Sequence, residues 1–319
     1  MATFALTYNI HIGLNRLKGL SKVEIQSSVD TLSDTATITL PAYINNVTYD
    51  IERRVKRGMK VKFDLGYDGE NVTEFVGYVR SISVNSPVVI ECEDEMFLFR
   101  KAVKSEVFVN ASVTDILQSV ASQLGFGLDS SVSDLKYDKF VIQSATGYEV
   151  LMKIKDQFNI SLYIRDGKLF AGYRYLERFG NVTVDFEQNV KASNLQYVSA
   201  EDVKVQVQLK GVGKDNKSTR QIEVGERGGE VIKLPPRLNI TDEAALERIA
   251  KDELKRLSYS GFRGDVTTFG RPYSERGYVA KVIDPDYPDR VGNYFVKGVT
   301  VSFSQSGYER KLELGERLS

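Results

Sequence analysis

Alternation of apolar and polar residues dominates the first hundred residues and sets the class of fold. Apolar side chains occupy every second position in 35–40 and 60–65, and shorter apolar runs follow at 75–79 and 88–90. Asp-Gly and Ser-Pro turn signals separate these runs. Short segments with a period of two, separated by turns, are typical of a small sandwich or barrel. We therefore predict a first β-barrel domain over residues 1–104.

A helical stripe at 113–124 marks a change of architecture. Apolar residues recur there at three- and four-residue spacing, after Ser112 as a natural N-cap. A second stripe follows a capping box that begins at Thr146, and an Asp-Gly hairpin follows over 161–172. We therefore predict a small α+β insert over 105–178.

Strands resume after the insert, and one of them has a polar face. In 203–210 apolar residues alternate with polar ones, so one face is buried and the other is free to meet solvent or a polar partner. The candidate tube or interface residues on that face are Lys204, Gln206, Gln208 and Lys210. A helix at about 241–258, capped by Thr241, interrupts the strands of a second β-barrel domain over 179–319. The predicted fold class is mainly β with an α+β insert, in which two tube-type β-barrels flank a small helix-containing domain.

The charge balance and the scarcity of His and Cys exclude several kinds of function. The chain has 43 basic and 43 acidic residues, which argues against a general polyanion binder. Its one His, His11, and one Cys, Cys92, exclude a multi-His metal site, an intrachain disulfide and a thiolate zinc cluster. Both lie in alternating segments typical of strands. We predict no catalytic, cofactor-binding or metal-binding residues, and we do not expect an enzyme.

The charged runs of the sequence indicate turns and contact surfaces. The acidic residues of 91–95 and 284–289 lack the spacing of a calcium loop, so we expect turns or rims there. The densest basic run consists of Arg53, Arg54, Lys56 and Arg57. Because acidic residues flank this run in the sequence, a solvated or inter-subunit charge patch is favoured over phosphate binding.

Two stretches of loosely spaced glycines and alternating strands carry a resemblance to a known family. The first comprises Glu24–Pro41, Ile51–Val61 and the segment Phe75-Val-Gly-Tyr-Val-Arg80. The second runs from Leu257-Ser-Tyr-Ser-Gly-Phe-Arg-Gly264 through Phe269-Gly-Arg-Pro272 to Ser306-Gly-Tyr-Glu-Arg310. In this order they resemble the two barrels of phage tail and baseplate hub proteins, the family that includes late-control protein D and the hub part of VgrG-type spikes in contractile injection systems.

The resemblance implies a structural role in a tail tip or baseplate. Such a protein forms a homotrimeric ring with six barrels, which adapts a hexameric tail tube to a trimeric spike or fibre. The implied partners are further copies of this chain, the tail tube protein, a separate spike or tail-fibre protein and other baseplate proteins. DNA would only pass through the lumen. We find no signal peptide and no apolar run long enough to span a membrane, so we expect synthesis in the bacterial cytoplasm and a final place at the virion tail tip.

Two alternatives of other classes remain open at the level of sequence. One is a peptidoglycan hydrolase that uses carboxylates of the 105–178 insert, since acidic residues distant in sequence can pair in space. The other is a carbohydrate-binding tail protein that uses its many tyrosines as stacking platforms. Because most aromatic residues alternate within strands, core or interface positions are favoured for them.

Overall fold

The computed structural model confirms a mainly β chain with a helix-containing insert. The residues it describes are 4–41, 43–44, 47–48, 51–83, 87–132, 135–158, 160–173, 177–213, 218–234, 236–238 and 243–318.

The first part of the chain is built from the alternating segments seen in the sequence. Its elements are β1 (Leu6–Ile12), β2 (Asn15–Arg16), β3 (Lys22–Ser28), β4 (Thr35–Leu40), β5 (Tyr43–Ile44), β6 (Val47–Thr48), α1 (Ile51–Arg54), β7 (Lys60–Tyr67), β8 (Glu70–Ser83) and β9 (Val88–Glu93). In β4 and β7 the apolar residues of each alternation are buried. A 3-10 turn, Glu95–Arg100, leads out of β9.

The insert contains both predicted helices and more strands than its sequence pattern indicates. Its elements are β10 (Glu106–Ser112), α2 (Val113–Gln123), β11 (Gly127–Ser130), β12 (Lys136–Ile142), α3 (Gly147–Phe158), β13 (Ile160–Arg165) and β14 (Lys168–Tyr173). Strands β10 and β12 form one sheet, and β11, β14 and β13 form another. The Ser112 capping box is present at α2, and the apolar stripes of both helices pack into one core.

The last part combines long strands with a separate small sheet. Its elements are β15 (Gly180–Asp185), β16 (Val190–Ser193), β17 (Gln196–Val198), β18 (Val205–Val212), β19 (Thr219–Gly225), β20 (Glu230–Lys233), β21 (Arg237–Leu238), α4 (Glu243–Leu257), β22 (Gly261–Phe269), β23 (Tyr278–Ile283), β24 (Gly292–Ser304) and β25 (Gly307–Arg317). Helix α4 matches the predicted helix, whose predicted cap, Thr241, lies outside the described residues. Strand β18 pairs with β19, β20 and β21, and α4 packs against this sheet.

One strand pair joins the two ends of the chain into a single sheet. Strand β24 pairs antiparallel with β3, from Gly298 opposite Ser28 to Ser304 opposite Lys22. The resulting 14-stranded sheet contains strands from both ends of the chain, and one hydrophobic core runs along it. The insert packs against this sheet through a small aromatic cluster that includes Tyr163 and Phe295. The domain boundaries at 104 and 178 stay a prediction.

Candidate functional site

A polar cleft lies where the insert meets the sheet that joins the two ends of the chain. It has a volume of about 280 Å³. Its lining comes from strands β3, β8, β24 and β25, from the β13–β14 hairpin and from residues 273–276. Buried charged side chains from β8, β25 and residues 273–276 meet there, which is costly unless each charge has a partner.

Arg310 is the central charged residue of the cleft. Its side chain is 1% exposed and forms an ion pair with the Glu74 carboxylate, which is 2% exposed. The same guanidinium donates to the Ser274 carbonyl oxygen at 2.8 Å and lies 4.8 Å from the centre of the Tyr273 ring. The Tyr308 hydroxyl donates to Glu74 as well. Together, these contacts tie β25, β8 and the loop before β23 to one another.

A second buried arginine ties the insert to the same loop. Arg276 forms an ion pair with Asp34, donates to the Ile164 carbonyl oxygen at 3.3 Å and lies 4.0 Å from the centre of the Tyr163 ring. Nearby, burial raises the pKa of Glu275, although the charge of Arg165 opposes the rise.

The carboxylates of the cleft are engaged in contacts within the chain. Asp34 and Glu74 pair with buried arginines, Glu275 accepts a hydrogen bond from the Tyr273 hydroxyl at 3.3 Å, and Asp166 lies 3.6 Å from Arg165. A glycosidase needs two carboxyl groups directed at one bond of a sugar substrate. The arrangement here instead holds three parts of the protein together.

The structure brings together part of the predicted polar strand face. Gln206 and Gln208 both donate to the Glu223 carboxylate on β19, at 3.3 and 3.0 Å. Lys204 precedes the strand and pairs with Glu226 at 3.3 Å, and Lys204 and Lys210 are both exposed. The opposite face of β18 packs on α4 through Val207 and Leu209. The β18 face is therefore a hydrogen-bonded polar surface, and its role as tube lining or interface stays a prediction.

The predicted basic run lies at the start of β7. Arg53 and Arg54 occupy the last turn of α1, and Lys56 and Arg57 follow it; all four are exposed. The Arg57 guanidinium lies 5.8 Å from the centre of the Phe97 ring. The sequence analysis did not identify two further cations near this run, Arg16 on β2 and Lys60 on β7. Only the pairing of β1 with β2 and β7 brings them close.

The other residues considered in the sequence have structural positions. Cys92 is buried on β9, and burial raises the pKa of its thiol to about 12. His11 lies on β1 opposite Arg16 and Lys62. In the 91–95 run, Glu93 is buried and pairs with Arg100 at 2.8 Å, and Asp94 caps the following 3-10 turn.

Two carboxylates of the insert, the region that the sequence analysis considered for a hydrolase, cap helices. Asp115 and Glu149 each accept hydrogen bonds at a helix N-terminus, and these bonds lower the pKa of both groups. A carboxyl group that acts as a general acid near neutral pH needs a raised pKa instead.

Within the described residues, no group of three or more His, Cys, Asp or Glu side chains is placed to hold a metal ion. Over that same part of the chain, no helix is both long and apolar enough to cross a membrane.

The fold is shared with proteins of phage tails and of a secretion system. A 43 kDa tail protein of prophage MuSo2 from Shewanella oneidensis matches with a TM-score of 0.70 and 17% identity, covering 98% of both chains. A tail protein from Neisseria meningitidis MC58 matches with a TM-score of 0.66 and 15% identity, over 98% of this chain and 96% of that one.

A third similar structure is the E. coli c3393 protein, described as a component of the type VI secretion system. It matches with a TM-score of 0.62 and 11% identity, covering 97% of this chain and 79% of that protein. No protein-family model matches the sequence, and no curated protein matches it either. At these identities the likeness establishes the fold, which is that of phage tail proteins.

Proposed function

We propose that this protein is a structural hub of a phage tail tip or of the baseplate of a contractile injection system. The observation that carries the proposal is the joined sheet, in which β24 from one end of the chain pairs with β3 from the other. Two β-rich ends fused in this way form one stiff unit with the insert at its side, as a load-bearing ring requires. The fold shared over 98% of a phage tail protein supports the same role.

The assembly that we propose is a homotrimeric ring between a hexameric tail tube and a trimeric spike or fibre. Each copy would offer two β-rich ends, so three copies would match the six subunits of a tube. The near-complete use of the cleft charges within the chain supports a structural role over a catalytic one. The proposed partners are the tail tube protein, a separate spike or tail-fibre protein and other baseplate proteins.

Within this ring we propose that the polar β18 face lines the lumen or a subunit interface. Its glutamines and Glu223 form a network of neutral and charged hydrogen bonds. Such a surface is compatible with water or with a polar neighbour, because its polar groups are satisfied without burial in an apolar core.

Light scattering after size-exclusion chromatography tests the proposal. We expect a stable species of about 107 kDa, three times the 35.8 kDa of one chain. A monomer at micromolar concentration would contradict the ring. A turbidity assay on purified peptidoglycan should show no lysis, and lysis that is lost on replacing insert carboxylates would favour the hydrolase instead. In purified particles, a gold-labelled antibody against this chain should decorate the tail tip.

A further inference from the structure

Cations from three segments of the first part of the chain lie on one surface. The backbone N–H of Gly13 donates to the Lys60 carbonyl oxygen at 2.8 Å, so the β1–β2 turn lies beside the start of β7. His11 is opposite Arg16 on one side and Lys62 on the other. Arg16 and Lys60, which are distant in sequence, therefore lie at the same end of this sheet. Both are exposed.

The segment after α1 belongs to the same surface. The Lys56 backbone N–H points at the Met59 sulfur at 3.4 Å, and a Cβ placed on Gly13 would lie 3.7 Å from that sulfur. Met59 thus lies between the basic run and the β1–β2 turn. We define the basic surface as Arg16, Arg53, Arg54, Lys56, Arg57 and Lys60.

The basic surface carries an excess of positive charge. Lys62, next to it, is neutralised by Asp64 at 2.9 Å. In sequence, two acidic residues, Asp50 and Glu52, flank the basic run, whereas the basic surface has six cations. Such a concentration of cations at one end of a sheet attracts a negatively charged surface.

An apolar anchor stands among these cations. Leu14, at the tip of the β1–β2 turn, is 101% exposed, and Gly13 before it has a φ of 59°. On the other side of the surface, the Phe97 ring under Arg57 is stacked on Tyr78 with centroids 5.6 Å apart. Arginines, aromatic rings and an exposed leucine are the residue types enriched at the centre of protein–protein interfaces.

We propose that the basic surface and Leu14 form the contact with a second copy of this chain, an inference that rests on the ring proposed above. Because the whole chain has no net charge, the excess on the basic surface is balanced by an equal excess of carboxylates elsewhere on every copy. In a closed ring with head-to-tail contacts, the basic surface of each copy contacts carboxylates of the next copy, and every basic surface is used one time. The same neutrality disfavours nucleic acid as the occupant.

Zero-length cross-linking between copies tests this assignment. Protein labelled with ¹⁵N and unlabelled protein are mixed, allowed to exchange subunits and treated with a carbodiimide, which couples lysine amines to carboxylates in contact. We expect mixed-isotope cross-linked peptides that contain Lys56 or Lys60. Inter-copy cross-links that arise solely from other lysines would overturn the proposal.

Charge reversal provides the second arm. Arg54→Glu/Lys60→Glu should raise the dissociation constant of the assembly at least tenfold, as measured by sedimentation at fixed protomer concentration. The control Lys104→Glu/Lys168→Glu reverses two exposed cations, one just before the insert and one within it, and should leave that constant unchanged. Leu14→Ser should weaken the assembly as well. All variants should keep the circular dichroism spectrum and melting temperature of the parent monomer, measured below the dissociation concentration.

The outcomes separate the two proposals. If the parent protein is a monomer, both the ring and the basic-surface contact are wrong. If the parent is a trimer and Arg54→Glu/Lys60→Glu is equally trimeric, the ring stands and the basic-surface contact is wrong. Salt-dependent binding of a double-stranded DNA fragment that is lost in the same variant, with no change in assembly, would also overturn the contact.

Discussion

The buried ion pair between Glu74 and Arg310 offers the sharpest test of how the two ends of the chain are held together. Replacing Glu74 by alanine leaves the Arg310 guanidinium in the cleft without its carboxylate, and leaves the Tyr308 hydroxyl without its acceptor. Breaking a buried pair from one side costs about 3–5 kcal/mol of unfolding free energy, because an uncompensated charge remains. We expect Glu74→Ala to fall in this range.

A matched exposed pair provides the control. Glu70 pairs with Arg271 at 3.3 Å, but its side chain is 80% exposed. Exposed pairs contribute about 0–1 kcal/mol, so Glu70→Ala should cost no more than that. The two carboxylates are four positions apart on one strand. The difference between the losses of unfolding free energy in the two variants therefore isolates the effect of burial.

The double variant Glu74→Leu/Arg310→Met separates charge from packing. Replacing both members of a buried pair by apolar residues of similar volume is often neutral or stabilising. We expect the double variant to be at least about 2 kcal/mol more stable than Glu74→Ala. A difference of this size would indicate strong coupling between the two residues.

Urea unfolding at fixed protomer concentration, followed by far-ultraviolet circular dichroism, measures these differences. The chain has no Trp, so circular dichroism is the appropriate probe. If Glu74→Ala costs less than about 1 kcal/mol, the pair does not hold the cleft and the reasoning is wrong.

Three further predictions concern local features. Gly77→Ala should lose about 1–3 kcal/mol of unfolding free energy in urea, because a Cβ there would lie 2.2 Å from the Glu93 carbonyl oxygen. Ser112→Ala should cost about 1 kcal/mol in the same assay, because it removes the N-cap of α2. Glu275 has a pKa raised above 4.5 in the folded state, so the stabilisation from its neutral form is present below pH 4.5 and lost as the pH rises through the folded pKa. The unfolding free energy of Glu275→Gln, relative to that of the parent, should therefore increase as the pH is raised from 4.5 to 7. A difference that decreases over this range would contradict the raised pKa of Glu275.

Local patterns predicted the elements that depend on neighbouring residues in sequence. The alternation in β4 and β7 and the stripe of α2 were sufficient, because burial of one face leaves a period of two or of about 3.6 in the sequence. The Ser112 cap was predictable for the same reason, since its partner lies three residues away.

Features that join distant segments left no such pattern. Glu74 and Arg310 are 236 positions apart, and neither is distinguished in sequence from dozens of exposed charges. The pairing of β24 with β3 was missed as well, because strand sequences specify which face is buried but not which strand lies alongside. For the same reason the sequence indicated the basic run at 53–57 but not the arginine on β2 and the lysine on β7 that lie near it.

The glycines that carried the resemblance have a steric origin, and this limits what the resemblance can say. A Cβ on Gly77 would overlap the backbone of β9, and a Cβ on Gly270 would lie 2.2 Å from the Tyr308 ring. Such glycines are required by close approach within the joined sheet, whatever the sheet is used for. A glycine pattern can therefore indicate this fold, while partner choice depends on surface charges that the pattern does not include. The interface of the proposed ring must accordingly be determined from residues such as Arg54 and Lys60, not from the motif.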